Sequence, residues 1–137
     1  MRLLIWHMDL FVAEPEERGR SKVADAEPHT VRVEQALVVF AACEKADEAE
    51  PAFVVARAAA AITEVARQTG ARTVVLHSFA HLFVELSAPA LAKRILDGLE
   101  TQLAGEGYTV LQTAFGWFNH LEMRAKGHPL SRVARQV

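Results

Sequence analysis

The sequence predicts an α/β domain, a mixed β-sheet with two main helices in the order β-β-α-β-α-β-β. Three observations predict it. Residues 2–12 alternate with the period of a strand, and residues 30–43 form a β-branched, apolar run. Residues 51–69 and 89–105 repeat apolar side chains every three or four positions. Between those helical stretches, Thr73-Val74-Val75-Leu76 is short and almost wholly apolar, as a central strand covered on both faces would be.

The length of 137 residues suits one domain with a proper core. Composition agrees, with 51% hydrophobic and 23% charged residues. No run of about 18 apolar residues marks a membrane span. Asp9 interrupts the N-terminal apolar stretch too early for a signal-peptide core, so that stretch reads as a strand. The lone Cys43 has no partner for an internal disulfide and suits a reducing, cytoplasmic setting. A net charge of −2 argues against a uniformly nucleic-acid-binding surface. The charge is uneven: residues 14–50 hold ten acids against five bases, while residues 121–137 hold Arg124, Lys126, Arg132 and Arg135 against Glu122. That basic end is either a phosphate-facing patch or a solvated surface.

In the first strand Leu4, Trp6, Met8 and Leu10 alternate with Leu3, Ile5, His7 and Asp9. Two polar groups ending an apolar face suggest a strand tip that opens onto a pocket, or one that reaches solvent. Residues 14–29, with Pro15, Gly19 and Pro28, read as a polar loop. The second strand follows from Thr30 to Cys43. Pro51 opens the first helix and Gly70 closes it. Ser87 is the expected N-cap of the second helix, with Pro89 in its first turn, Leu91, Ile95, Leu99 and Leu103 as its buried stripe, and Gly105 and Gly107 at its end. Residues 108–114 and 117–126 read as two further strands joined by a turn at Phe115-Gly116. In the last, Asn119 shares a face with Trp117, Leu121, Met123 and Ala125, so it is either a satisfied core amide or part of a site.

The residues carrying candidate chemistry are few. His77, His81 and Glu85 stand at i, i+4 and i+8, a metal-ligand spacing on a continuous helix. The strand running into His77 and the separate helix start at Ser87 break that continuity, and no H-E-x-x-H pattern occurs. Cys43 with a histidine would make a nucleophile pair, although a lone Cys at a strand end is more often a small buried hydrophobe. No glycine loop able to cradle phosphates is present. What survives is a site built from loops at strand ends.

Several motifs then point to one family. Phe79-Ala80-His81-Leu82, Glu85-Leu86, Phe115-Gly116 followed by Trp117 and Phe118, and Lys126-Gly127-His128-Pro129-Leu130 stand in that family's order and spacing, as do His7-x-Asp9 and Glu44-Lys45-Ala46-Asp47. The chain resembles the N-terminal editing domain of archaeal-type threonyl-tRNA synthetase, a relative of the D-aminoacyl-tRNA deacylases, over nearly all of its length and least at 13–30. The resemblance implies a D-aminoacyl-tRNA deacylase-like fold, and hydrolysis of serine wrongly attached to tRNA(Thr). Serine is threonine minus a methyl, and a missing methylene is worth only about 1–3 kcal/mol in binding, so a second, hydrolytic site is needed. The resemblance further implies a pocket built largely of main-chain groups, a role for the 2′-hydroxyl of the terminal tRNA adenosine, and neither metal nor organic cofactor. The implied partners are the 3′ aminoacyl end of tRNA(Thr), a second copy of the chain, and the catalytic part of the synthetase in cis or in trans.

Carried over by position, Ala80, Cys43, Phe115, Gly116, Trp117 and Phe118 are expected to contact the substrate, with His7 at the tip of the first strand. His81, Asn119 and Arg132 fall at the functional positions. Asn119 stands where the family usually has a lysine and Arg132 where it usually has a glutamate, and Phe118 lacks the hydroxyl of a tyrosine often found there. An amide supplies no charge to an oxyanion, and arginine is no carboxylate base. The competing readings are a non-catalytic tRNA-binding or structural appendage of the synthetase, and a D-aminoacyl-tRNA deacylase.

Overall fold

The fold is taken from a computed structural model that describes residues 1–82 and 84–137. Its strands are β1 (Arg2–Arg18), β2 (Val31–Ala42), β3 (Thr73–Ser78), β4 (Thr109–Gln112), β5 (Trp117–Ala125) and β6 (Arg132–Gln136), and its helices α1 (Pro51–Thr69) and α2 (Pro89–Gly105). The sheet runs β4-β3-β2-β1-β5, with β6 also paired to β1. β2, β3 and β4 are parallel, joined through α1 and α2, while β1 is antiparallel to its neighbours. The α/β class with a mixed sheet and two helices is as expected.

Four details differ from the sequence reading. β1 continues to Arg18 through Pro15, which had read as loop. Past Ala13 it pairs only with β5, and a register shift lies between Pro15 and Glu17, an edge setting that tolerates a proline. β4 and β5, expected as strands joined by a turn, are not neighbours: the chain crosses from one side of the sheet to the other between Gln112 and Trp117. The unexpected β6 pairs with Arg2–Trp6 of β1, while β5 takes the same strand from Met8 to Arg18. Finally, Ala88 and not Ser87 occupies the N-cap of α2, and no side chain caps it.

The helices cover one face of the sheet. Val54, Ala58, Ile62 and Val65 of α1 and Ile95, Leu99 and Leu103 of α2 bury Leu3, Ile5, Leu37, Val39, Val74 and Leu76. Truncating such a fully enclosed leucine or isoleucine to alanine costs about 2–5 kcal/mol. The other face packs without helices, through Met8, Phe11, Ala13, Val31, Ala36, Val38, Phe40 and Val75. Inward alternation on β1 therefore runs Met8 then Phe11, not Met8 then Leu10. It slips where Gln35, at φ 54°, faces Asp9 across the ladder. The α-ammonium of Met1 is buried against Asp47 at 2.6 Å.

Candidate functional site

The parallel strands end together, and a cleft of about 280 Å³ opens there. Ala41, Ala42 and Cys43 from the end of β2 and Ser78 from the end of β3 line it, with Pro89 and Ala92 of α2. A 3-10 turn at Ala80–Leu82 puts Ala80 and His81 on one wall. The segment Phe115-Gly116-Trp117-Phe118 forms another, and Gly19, Arg20 and Ser21 complete the rim. Carboxyl ends of parallel strands are where α/β sheets usually hold ligands, because the connecting loops diverge there.

Gly116 makes the second wall possible. Its φ is 76°, and a Cβ there would stand 2.7 Å from the Cβ of Ala24. The 19–25 segment is clamped to this wall: the Gly19 amide donates to the Gly116 carbonyl at 2.8 Å and the Asp25 amide to the Phe115 carbonyl at 2.9 Å. The Phe115 amide returns a 2.7 Å bond to the Asp25 carboxylate, and the Trp117 indole donates to the Asp25 carbonyl at 2.8 Å.

Seven of the expected residues are thus brought together: Cys43, Ala80, His81, Phe115, Gly116, Trp117 and Phe118. The other three are not among the lining residues. Asn119 is half-buried on β5, its side-chain amide donating to the Trp117 carbonyl at 2.9 Å, while its Oδ1 is buried without a partner among the described residues. Arg132 lies on β6 with its guanidinium 5.5 Å from the centre of the Trp6 ring. His7 faces a second cleft with Gln35, Thr69, Arg72, Thr73, Lys126 and His128, where β3 begins instead of where it ends. There its Nδ1 lies 2.9 Å from His128 Nε2, and burial, with Lys126 next in weight, holds the His7 imidazole below its ordinary pKa.

The chemical character of the cleft follows from its side chains. Burial pushes the Cys43 thiol up to about 12, with the Asp47 charge adding to the shift, so the sulfur is a protonated wall group and not a thiolate nucleophile. His81 is exposed, its ring 5.5 Å from that of Phe79. His77 belongs to a different environment. It is buried on the helix-free face of the sheet against Phe11, Phe40 and Phe79, with Nδ1 2.9 Å from the Thr113 hydroxyl. Desolvation lowers its pKa to about 4. His77 and His81 therefore share no helix face, and among the described residues no group of three potential metal ligands occurs. Mostly small or apolar side chains, with one histidine and one arginine, suit a small ligand carried on a larger molecule.

Residues 1–137 match the family described as the archaea-specific editing domain of threonyl-tRNA synthetase. The chain belongs to that family. It is 36% identical to the threonine–tRNA ligase of Methanosphaera stadtmanae and 39% identical to those of Methanopyrus kandleri and Methanothrix thermoacetophila. Each alignment covers 100% of this chain but 22% of the relative, so the editing domain spans about a fifth of the ligases it matches. A solved structure called c-Myc DNA unwinding element binding protein superposes with TM-score 0.63 at 9% identity, over 100% of this chain and 99% of the other. At that identity the likeness concerns the fold, and it accords with the D-aminoacyl-tRNA deacylase-like fold expected for the editing domain.

The sequence reading missed Arg20 and Ser87 as lining residues. Arg20 lay in a segment read as loop, and Ser87 had been given a capping role. Once β1 is extended to Arg18, the position of residues 19–21 opposite Gly116 follows from the pairing of Arg18 with Trp117.

Proposed function

We propose that this editing domain hydrolyses L-serine from mischarged tRNA(Thr). The observation that carries the reading is the convergence of Ala80-His81, Cys43 and Phe115–Phe118 on one cleft in a chain of this family. Water attacks the ester carbonyl, the bond from the seryl carbonyl carbon to the ribose oxygen breaks, and serine and uncharged tRNA leave. His81, exposed on the mouth of the cleft, is suited to hold the terminal nucleotide, and the small side chains of Ala41, Ala42, Ala80 and Ala92 leave room for the aminoacyl group. The resemblance implies a pocket of main-chain groups, and neutral amides of that kind can stabilise an oxyanion without a lysine, as they do in acyl transfer. A second copy of the chain, and a synthetase catalytic part in cis or in trans, are the proposed partners, in the cytoplasm.

The test is ester loss from seryl-, threonyl- and D-aminoacyl-tRNA incubated with the domain. Serine release well above buffer, lost in His81→Ala, is expected. Decay of all three at the buffer rate overturns the reading. A second reading, a non-catalytic appendage that binds tRNA, follows from the resemblance, which implies a lysine and a glutamate where this chain has Asn119 and Arg132. Retained tRNA binding without ester loss decides for it. Sedimentation of the domain at micromolar concentration tests the dimer.

A further inference from the structure

We propose that Arg20 is the phosphate-binding residue of the cleft, holding the phosphodiester that joins the terminal nucleotide to the rest of the RNA. The inference rests on the editing reading and adds a contact to it. Among the described residues lining the cleft, Arg20 is the only lysine or arginine. Its side chain is exposed, and among the described residues it forms no ion pair or hydrogen bond. The nearby cation Lys93, which lies 5.9 Å from the centre of the Phe115 ring, is already neutralised by Asp25 at 3.5 Å and Asp97 at 3.2 Å.

The segment bearing Arg20 is not left to wander. Bonds from Gly19 to Gly116 and between Asp25 and Phe115 bracket it on both sides. Gly19 itself is required, since a Cβ there would meet the Gly116 carbonyl oxygen at 2.7 Å. The chain thus brings an unpaired guanidinium to the rim of a largely apolar cleft and fixes the backbone beneath it. A guanidinium offers paired N–H donors matched to two phosphate oxygens. A rim position suits the phosphodiester, which stays outside when the aminoacyl ester enters the cleft.

Adenosine and adenosine 5′-monophosphate are titrated into the wild-type chain, Arg20→Ala and Arg20→Lys, with seryl-tRNA hydrolysis followed in parallel at two salt concentrations. The wild type is expected to bind the monophosphate about tenfold more tightly than the nucleoside. Arg20→Ala should erase that preference and raise KM about tenfold with kcat nearly unchanged, and should flatten the salt dependence; Arg20→Lys should keep part of each. The exposed side chain has no structural partner to lose, so all three proteins should unfold at the same temperature. A monophosphate preference or KM unaltered in Arg20→Ala overturns the proposal while leaving the editing reading intact. A fall in kcat at constant KM overturns it too, by placing the charge on the reacting carbonyl. A wild type that neither binds nucleotide nor releases serine overturns both.

Discussion

Gly116 and Ala24 are in backbone contact: a Cβ at Gly116 would stand 2.8 Å from the Cα of Ala24 and 2.7 Å from its Cβ. This contact holds the 19–25 segment against the wall of the cleft, and it needs a residue with no side chain at a φ of 76°. Gly116→Ala is therefore expected to lose about 2–4 kcal/mol, from left-handed strain plus the displaced segment. Urea unfolding measures the loss, and serine release should fall with it. An unchanged midpoint would show that the segment is not held as described.

Asp47 accepts from the Met1 ammonium at 2.6 Å and from the Glu44 amide at 2.7 Å while almost fully buried. Asp47→Ala leaves the Glu44 amide without its acceptor and the buried ammonium with only the Glu44 carboxylate at 3.2 Å and the Val137 carbonyl at 3.0 Å, so a cost of about 2–3 kcal/mol is expected. The exposed pair of Lys45 with Glu48, at 2.5 Å, is the control, and Lys45→Ala should cost under about 1 kcal/mol. Equal costs in denaturant titrations would contradict the difference in burial.

His77 gives the fold a defined acid sensitivity. Its folded pKa is about 4 against an ordinary 6.5, because burial disfavours the imidazolium. The unfolded chain thus takes up a proton that the folded chain refuses between those values. Stability is full above pH 6.5 and falls as pH drops toward 4, by about 3 kcal/mol in all. Stability curves of the wild type and His77→Leu across that range check this. The mutant should be less stable near pH 7 but shallower by about one proton. Parallel curves would mean that His77 is not the group responsible.

Cys43 should be nearly inert. A thiol pushed from 9.0 up to about 12 holds about 1,000-fold less thiolate at pH 8, and burial slows access further. Iodoacetamide labelling followed by mass spectrometry should show a rate at least that much below a free peptide cysteine. Labelling at the peptide rate would reopen the nucleophile reading.

The two helices were legible because their signals are local. Leu91, Ile95, Leu99 and Leu103 are spaced at one helical turn, and all but Leu91 are fully buried. Pro51, Gly70 and Pro89 punctuate as read. β6 was not legible, since Arg132–Gln136 is a short run of mostly charged or small residues whose pairing with Arg2–Trp6 spans almost the whole chain. The slip at Asp9 and Gln35 was likewise hidden, because period-2 reading assumes an unbroken pleat. The Ser87 cap failed on one residue of register.

For the site, the sequence by itself determined which residue types stand at strand ends, and through its motifs the family. It named Cys43, Ala80, His81 and the Phe115–Phe118 segment as members of one pocket. Only the tertiary structure decided that these share a cleft while His7 and Arg132 lie elsewhere. Alternation says which face of a strand a side chain takes, but not which end of the sheet it reaches. His7 shows this: it shares the parity of Leu3 and Ile5 yet opens where β3 begins. The approach of Gly19 to Gly116, which brings Arg20 to the rim, depends on contacts across almost a hundred residues, and no local pattern encodes it.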